Sequence, residues 1–214
     1  MSADRKLTLY HSPHTRSSGT LVLLEEVGAP YELHVLNMKA GEQRKPDYLA
    51  VNPMGKVPAI KHGDAIVTEQ VAIHLYLADQ FPEAGLAPAI GDPLRGPYLR
   101  WLVYYAASFE PAVVDRAMKR ETGPTAMSPY GDYDTVMNTL AAQLGRGPYI
   151  LGEKFSAADV LWGTALGWTI AFKLVPELPV FKEYVSRIGA RPAVARARAR
   201  DAELAAAHEA AASG

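Results

Sequence analysis

The pattern of apolar residues changes once along the chain, and this change limits the fold more than any single motif. Up to about residue 80, short alternating runs are interleaved with longer runs of helical period. "KLTLYHS" (6–12) reads as a strand that stops at Pro13. "RSSGTLVLLEEVG" (16–28) reads as a helix ended by Gly28, a residue suited to the left-handed C-terminal position. "YELHVLNM" (31–38) gives a second strand, and a polar stretch carries a short helix over roughly 42–50. "VPAIKHGDAIVT" gives two strands about the turn His62-Gly63-Asp64, and "TEQVAIHLYLADQF" (68–81) is helical. Such a succession builds a small mixed sheet covered by helices. Between Pro82 and Pro97 the composition shifts to Pro, Gly and Ala, as in a linker. Every later segment has helical period: roughly 93–119, 131–144, 156–172, 178–189 and 192–211. The expected architecture is an α/β domain over 1–81, a linker at 82–92 and an all-helical domain over 93–214.

Charge and composition then remove whole classes of function. A net charge of −1 leaves no basic excess for nucleic acid or an anionic membrane surface, so neither partner is expected. The chain has no cysteine, which excludes disulfide staples, a cysteine nucleophile and Cys-ligated zinc, and no metal is expected. Any thiol must arrive with a ligand. The start, "MSADRKLTLYHS", has no apolar core of a secretory signal, so a cytosolic protein is expected. The longest apolar run, "VLWGTALGWTIAF" (160–172), is too short to span a bilayer and reads as a buried helix. In the tail, the arginines of "RARAR" (196–200) point to different sides of a helix and are followed by Asp201, Glu203 and Glu209. The tail is expected to be a solvated helix.

The stretch "NPMGKVPAI" (52–60) is unusual at the entry to a strand. A cis peptide before Pro58 would turn the backbone N–H and C=O of Val57 outward, where they recruit an extended peptide by strand addition. A trans proline in a plain structural turn is the alternative. Eleven residues on, Thr68, Glu69 and Gln70 stand at a strand-to-helix junction. Free N–H groups at a helix start attract a carboxylate, and Glu69 suits an ammonium group, so one place would hold both charges of an amino-acid head group. A simple helix cap at Thr68 explains the helix alone equally well. In "FSAAD", Ser156 and Asp159 have the spacing of a capping box, a folding device.

Together these segments resemble the cytosolic glutathione transferases. "NPMGKVPAI" is similar to that family's Asn-Pro-x-Gly-x-Val-Pro element, and "VTEQVAIHLYLAD" to its Glu-(Ser/Gly)-x-Ala-Ile segment. "YILGEKFSAADVLWG" and "RIGARPAVARA" resemble its buried-helix and last-helix entries, in the right order along essentially the whole chain. "TEQVAIHLYLAD" and "LGWTIAFKL" look most like the bacterial beta-type branch. The resemblance implies a thioredoxin-like first domain, an all-helical second domain and a homodimer. Glutathione would be the co-substrate and a small hydrophobic electrophile its acceptor. It further implies that Val57 pairs with the cysteinyl backbone beside a cis Pro58, with Lys56 adjacent, and that Glu69 and Gln70 hold the γ-glutamyl end.

Catalysis in that family needs a thiolate, which means lowering a thiol pKa near 8.5 by about two units, or roughly 2.7 kcal/mol. A hydroxyl donor at the start of the first helix suits the task, and the candidates lie in "YHSPHTRSSG" (10–19). The beta-type cysteine falls on Arg16, and that branch's histidine is missing, because no His stands between His74 and His208. Ser17 ranks first, at the helix start, followed by Tyr10, then Thr15 and His14. Each has a purely structural alternative: a cap, strand packing or an exposed loop. Tyr104 and Tyr105, in "RWLVYYAASFEP", are the candidates for an electrophile site.

Overall fold

The computed structural model of the chain describes residues 6–121 and 123–213. Leu7, Leu9 and His11 alternate with Thr8 and Tyr10 along β1 (Leu7–His11), and only the first set is buried. β1 is an inner strand in a four-stranded sheet of order β2-β1-β3-β4. It runs parallel to β2 (Glu32–Val35), which requires a crossover, supplied by α1 (Ser17–Val27). β3 (Ala59–His62) and β4 (Ala65–Thr68) form an antiparallel hairpin, with β3 also antiparallel to β1. α1 ends as its sequence indicates: Gly28 takes φ 66°, and its N–H bonds the carbonyl of Leu24. A short α2 (Pro46–Leu49) brings Tyr48 against Tyr10, ring centroids 5.6 Å apart. Because successive strand side chains point to opposite faces, Leu9 and His11 face away from α2, towards the layer of α1 and α3 (Gln70–Gln80).

Two compact units divide the chain: one runs to Ala84 and resumes at Arg191, and the other is Gly85–Ala190. The arginines of the C-terminal helix are exposed, as expected, but the helix groups with the first unit and not with the helical domain in which the sequence placed it. α9 (Pro192–Ser213) packs on α1 in the first unit. Ala193, Val194, Ala197 and Asp201 fall on one buried stripe, and the small side chains let the helices approach. The flanking arginines pair with α1, Arg191 with Glu26 (2.5 and 2.8 Å) and Arg196 with Glu25 (2.6 Å).

The second unit is all helical among its described residues. α4 (Arg95–Tyr104) passes through a wider π turn (Tyr105–Phe109) into α5 (Glu110–Ala117), and Pro111 has no N–H to bond the carbonyl four residues back. α6 (Tyr133–Leu144), α7 (Ala157–Ala171) and α8 (Pro179–Gly189) follow. Trp162 of α7 is fully buried, and its indole N–H reaches the carbonyl of Trp101 at 3.1 Å. The capping box is formed. Asp159 accepts from the N–H and Oγ–H of Ser156, and also from the Ile150 N–H and the Tyr184 hydroxyl, both at 2.7 Å. No described helix is long and apolar enough to cross a membrane.

Candidate functional site

Strand register decides which loops meet. Ala59 lies opposite Tyr10 on one side and opposite Thr68 on the other. The segment leading into β3, Val57-Pro58, therefore lies abreast of the segment leaving β1, His11-Ser12, and of Glu69-Gln70 at the end of β4. The Val57-Pro58 peptide is cis. Among the described residues, neither the N–H nor the C=O of Val57 has a hydrogen-bond partner. The preceding carbonyl, that of Lys56, is held by the Tyr48 hydroxyl (2.6 Å) and the Asn52 amide (2.8 Å), which fixes the turn while the Lys56 side chain stays exposed. An edge so held can accept an extended peptide.

Glu69 has φ 65° and ψ 117°, a region that a non-glycine residue occupies only when its surroundings compel it, at a cost of about 1–3 kcal/mol. Its exposed carboxylate begins α3. Beside it, the Gln70 amide donates to the Arg16 carbonyl at 3.1 Å and so ties the start of α3 to the start of α1. One of the two amide hydrogens is thereby committed.

Ser17 begins α1, as the sequence indicates, but its hydroxyl is turned inward. Its side chain is fully buried, and its Oγ has four protein neighbours: the Ser12 N–H (3.1 Å), the Ser12 carbonyl (3.0 Å), Thr15 Oγ1 (2.7 Å) and His11 Nδ1 (2.8 Å). A hydroxyl turned inward and surrounded in this way knots the 12–17 loop rather than facing a ligand. Tyr10 is likewise corrected. It packs against His34 and Tyr48 on the sheet face opposite α1, away from the helix start. Thr15 and His14 are the candidates left at the surface of the loop. Thr15 Oγ1 donates to the Ser12 carbonyl at 2.7 Å and accepts the Ser17 N–H at 3.2 Å. His14 takes φ 57° with its ring exposed.

Behind the loop stands a group that the sequence reading missed. His11 is fully buried, and its Nε2 lies 2.8 Å from Asp201 Oδ1. The other oxygen of Asp201 accepts from Ser18 Oγ at 2.5 Å and from the His14 N–H at 3.4 Å. The tautomer that suits both contacts of His11 carries its proton on Nε2 and accepts the Ser17 hydroxyl at Nδ1. Burial alone would raise the Asp201 carboxyl, but the contacts with His11, Ser18 and the His14 N–H outweigh it and hold it below the usual carboxylate range. The signal was present at one end. A histidine at the third inward position of β1, after Leu7 and Leu9, must find a partner when buried.

In the second unit, Tyr105 is corrected as a lining residue. It lies in the core, stacked on Phe109 and edge-on to Trp162. Tyr104 is half-buried, with its hydroxyl on the Val136 carbonyl at 3.2 Å. Among the described residues no His, Asp and Glu cluster is arranged to hold a metal ion.

The family model described as "Glutathione S-transferase, N-terminal domain" matches residues 5–79. A curated relative, Glutathione S-transferase GstA of Escherichia coli O157:H7, is 30% identical over 193 residues, covering 88% of this chain and 95% of that protein. Among solved structures, a glutathione transferase from Methylococcus capsulatus str. Bath matches with a TM-score of 0.78 at 29% identity, over 92% of this chain and 98% of that one. A sphingomonad glutathione S-transferase complexed with glutathione matches at 0.74 and 28% identity, over 91% and 98%.

Proposed function

The chain belongs to the cytosolic glutathione transferase family, and from that premise we propose that it binds glutathione, stabilises its thiolate and conjugates it to a small hydrophobic electrophile. The observation that carries this reading is the backbone of Val57, without a hydrogen-bond partner among the described residues, beside a cis Pro58 and abreast of Glu69. Val57 would pair with the cysteinyl backbone as an added strand, and the Lys56 ammonium would attract the carboxylate at the glycyl end. Glu69 would hold the γ-glutamyl ammonium, and the remaining amide hydrogen of Gln70 its carboxylate.

The thiol would then lie at the start of α1, beside Thr15. Thr15 would turn its proton from the Ser12 carbonyl towards a thiolate. A hydroxyl donor and the helix start together are of the size needed for roughly 2.7 kcal/mol of preference for the anion. Tyr104, the half-buried member of the tyrosine pair, is the remaining candidate to line the electrophile site. A cytoplasmic homodimer engaged in detoxification completes the proposal.

The inward-turned Ser17 supports a second reading, a glutathione-binding protein that leaves the thiol protonated. Calorimetric titration with glutathione tests the binding that both readings share. Glu69→Ala is expected to weaken affinity at least tenfold, and unchanged affinity would remove the proposed site. Turnover of an activated aryl halide by the wild type, reduced in Thr15→Val and retained in Thr15→Ser, favours the transferase.

A further inference from the structure

We propose that the proton leaving the glutathione thiol is kept by the protein, on the buried ring of His11, which it reaches through the hydroxyls of Thr15 and Ser17. This relay rests on the transferase reading, since it needs a thiol that ionises beside Thr15. Three groups stand in file behind the loop that begins α1. Thr15, half-buried, has its Oγ1 2.7 Å from Ser17 Oγ, and Ser17 Oγ lies 2.8 Å from His11 Nδ1. Ser17 and His11 are fully buried, so the file leads inward from the loop surface. Behind the ring, Asp201 Oδ1 lies 2.8 Å from Nε2, and neither atom has another partner among the described residues. Of the other elements around the ring, α1 presents the Ser17 hydroxyl, and Ser18 on the far oxygen of Asp201, while β2 sets the apolar Val35 beside it in register. His14 meets Asp201 through its backbone N–H, and the buried histidine of α3, His74, is turned to the Gln70 carbonyl.

Each link of the file can reverse its direction. With its proton on Nε2, the His11 ring accepts the Ser17 hydroxyl at Nδ1. Thr15 Oγ1 lies 2.7 Å from both the Ser12 carbonyl and Ser17 Oγ, so a rotation of its O–H aligns it with the file. The thiol gives its proton to Thr15 Oγ1, Thr15 passes its own to Ser17 Oγ, and Ser17 passes its own to Nδ1. One S–H bond breaks, one N–H bond forms, each hydroxyl ends with one proton, and the net charge is unchanged. The products are a thiolate that accepts from Thr15 and an imidazolium that donates to Ser17. In water this transfer is unfavourable by about a hundredfold, from a thiol near pKa 8.5 to an imidazole near 6.5. The Asp201 carboxylate favours the imidazolium in a poorly screened interior, where it acts as a charge and needs no aligned bond. The Thr15 hydroxyl and the start of α1 favour the thiolate. His11 and Asp201 touch no substrate and act through the two hydroxyls.

The test counts protons. The full-length protein is titrated with reduced glutathione and with S-methylglutathione, which has no thiol proton, by calorimetry at about pH 7 in buffers of differing ionisation enthalpy. The ultraviolet thiolate band is read in parallel. The expected result is a thiolate band with no difference between the two ligands in the protons released, because the thiol proton stays on His11. A thiol ionising to solvent would release about one proton more per thiolate formed. His11→Asn keeps an oxygen for the Ser17 hydroxyl but takes no proton, so the folded variant should show a weaker band and release about one extra proton for each thiolate that remains. The wild-type count decides the matter by itself if that variant does not fold. About one extra proton from the wild type alongside the band would overturn the relay and leave the transferase reading intact, as would a band in folded His11→Asn with no extra proton. No thiolate band in the wild type would overturn both.

Discussion

His11 Nε2 lies 2.8 Å from Asp201 Oδ1, so the last residue of the inner strand β1 is joined to the C-terminal helix directly behind the loop that begins α1. The other carboxylate oxygen reaches that helix itself through Ser18, 183 positions away in the chain. α9 therefore fastens the 12–18 loop from behind, and truncating the helix before Asp201 would release it.

Asp201→Asn is expected to lower the unfolding free energy by about 2–3 kcal/mol, because a buried carboxylate that accepts from Ser18 and the His14 N–H and faces His11 Nε2 is replaced by an amide whose nitrogen cannot accept. Ser18→Ala should cost about 1 kcal/mol, and the two should be less than additive, since they share a bond. Urea unfolding of the single and double variants measures both. The folded Asp201 carboxyl lies below its unfolded value, so its stabilisation is present above about pH 3.9 and is lost as the pH falls through the lowered folded pKa. The Asn variant should lack that component of acid unfolding.

His74 is fully buried on α3, with Nδ1 2.8 Å from the Gln70 carbonyl. Burial lowers its pKa from 6.5 to about 4, partly opposed by that bond. Between those values the unfolded chain binds a proton that the folded chain does not. Stability is therefore complete above pH 6.5 and falls towards pH 4, by up to about 3 kcal/mol. Melting temperatures across this window should fall steeply in the wild type and less steeply in His74→Phe. Parallel curves would show that His74 is not responsible.

Asp159 serves four donors at once, so Asp159→Ala leaves a buried tyrosine hydroxyl and the Ile150 N–H unpaired and should cost roughly 3–5 kcal/mol. Burial holds its carboxyl above the usual range despite these bonds. Glutathione affinity of the folded fraction should be unchanged, as the residue belongs to the helical unit. An unaltered melting temperature would contradict the structural role.

Gly163 meets Ile188 so closely that an added Cβ would lie 2.5 Å from Ile188 Cγ2 and 2.6 Å from its Cβ. Gly163→Ala improves helix propensity by about 1 kcal/mol yet should destabilise the protein, because overpacking of about 1–3 kcal/mol or more outweighs it. Thermal unfolding decides the sign.

Local chemistry made much of the architecture legible. The alternating run of β1, the glycine that ends α1, the Ser156–Asp159 box and the unusual prolines before β3 each state their structure within a few residues. The site was half legible for the same reason. Val57 and Glu69 are announced by backbone chemistry, but the direction of a hydroxyl is not. Ser17 turns inward because His11 and Ser12 lie behind it, and His11 is held by an aspartate at the far end of the chain. The tail read as solvated because its arginines dominate the composition, while the buried stripe consists of alanines, Val194 and one acid. Nothing in the adjacent pair itself says which tyrosine is buried, since both rings touch Trp162 and only Tyr105 is enclosed by the core.

The most direct test of the central claim is an ultraviolet difference titration of reduced glutathione bound to the purified protein, followed from about pH 5 to 9 across the free thiol's pKa near 8.5. With binding confirmed at saturation, a thiolate band appearing about two units below that pKa is the predicted result. It should be weakened in Thr15→Val and preserved in Thr15→Ser. A bound thiol that titrates as it does in free solution would contradict a transferase and leave a glutathione-binding protein.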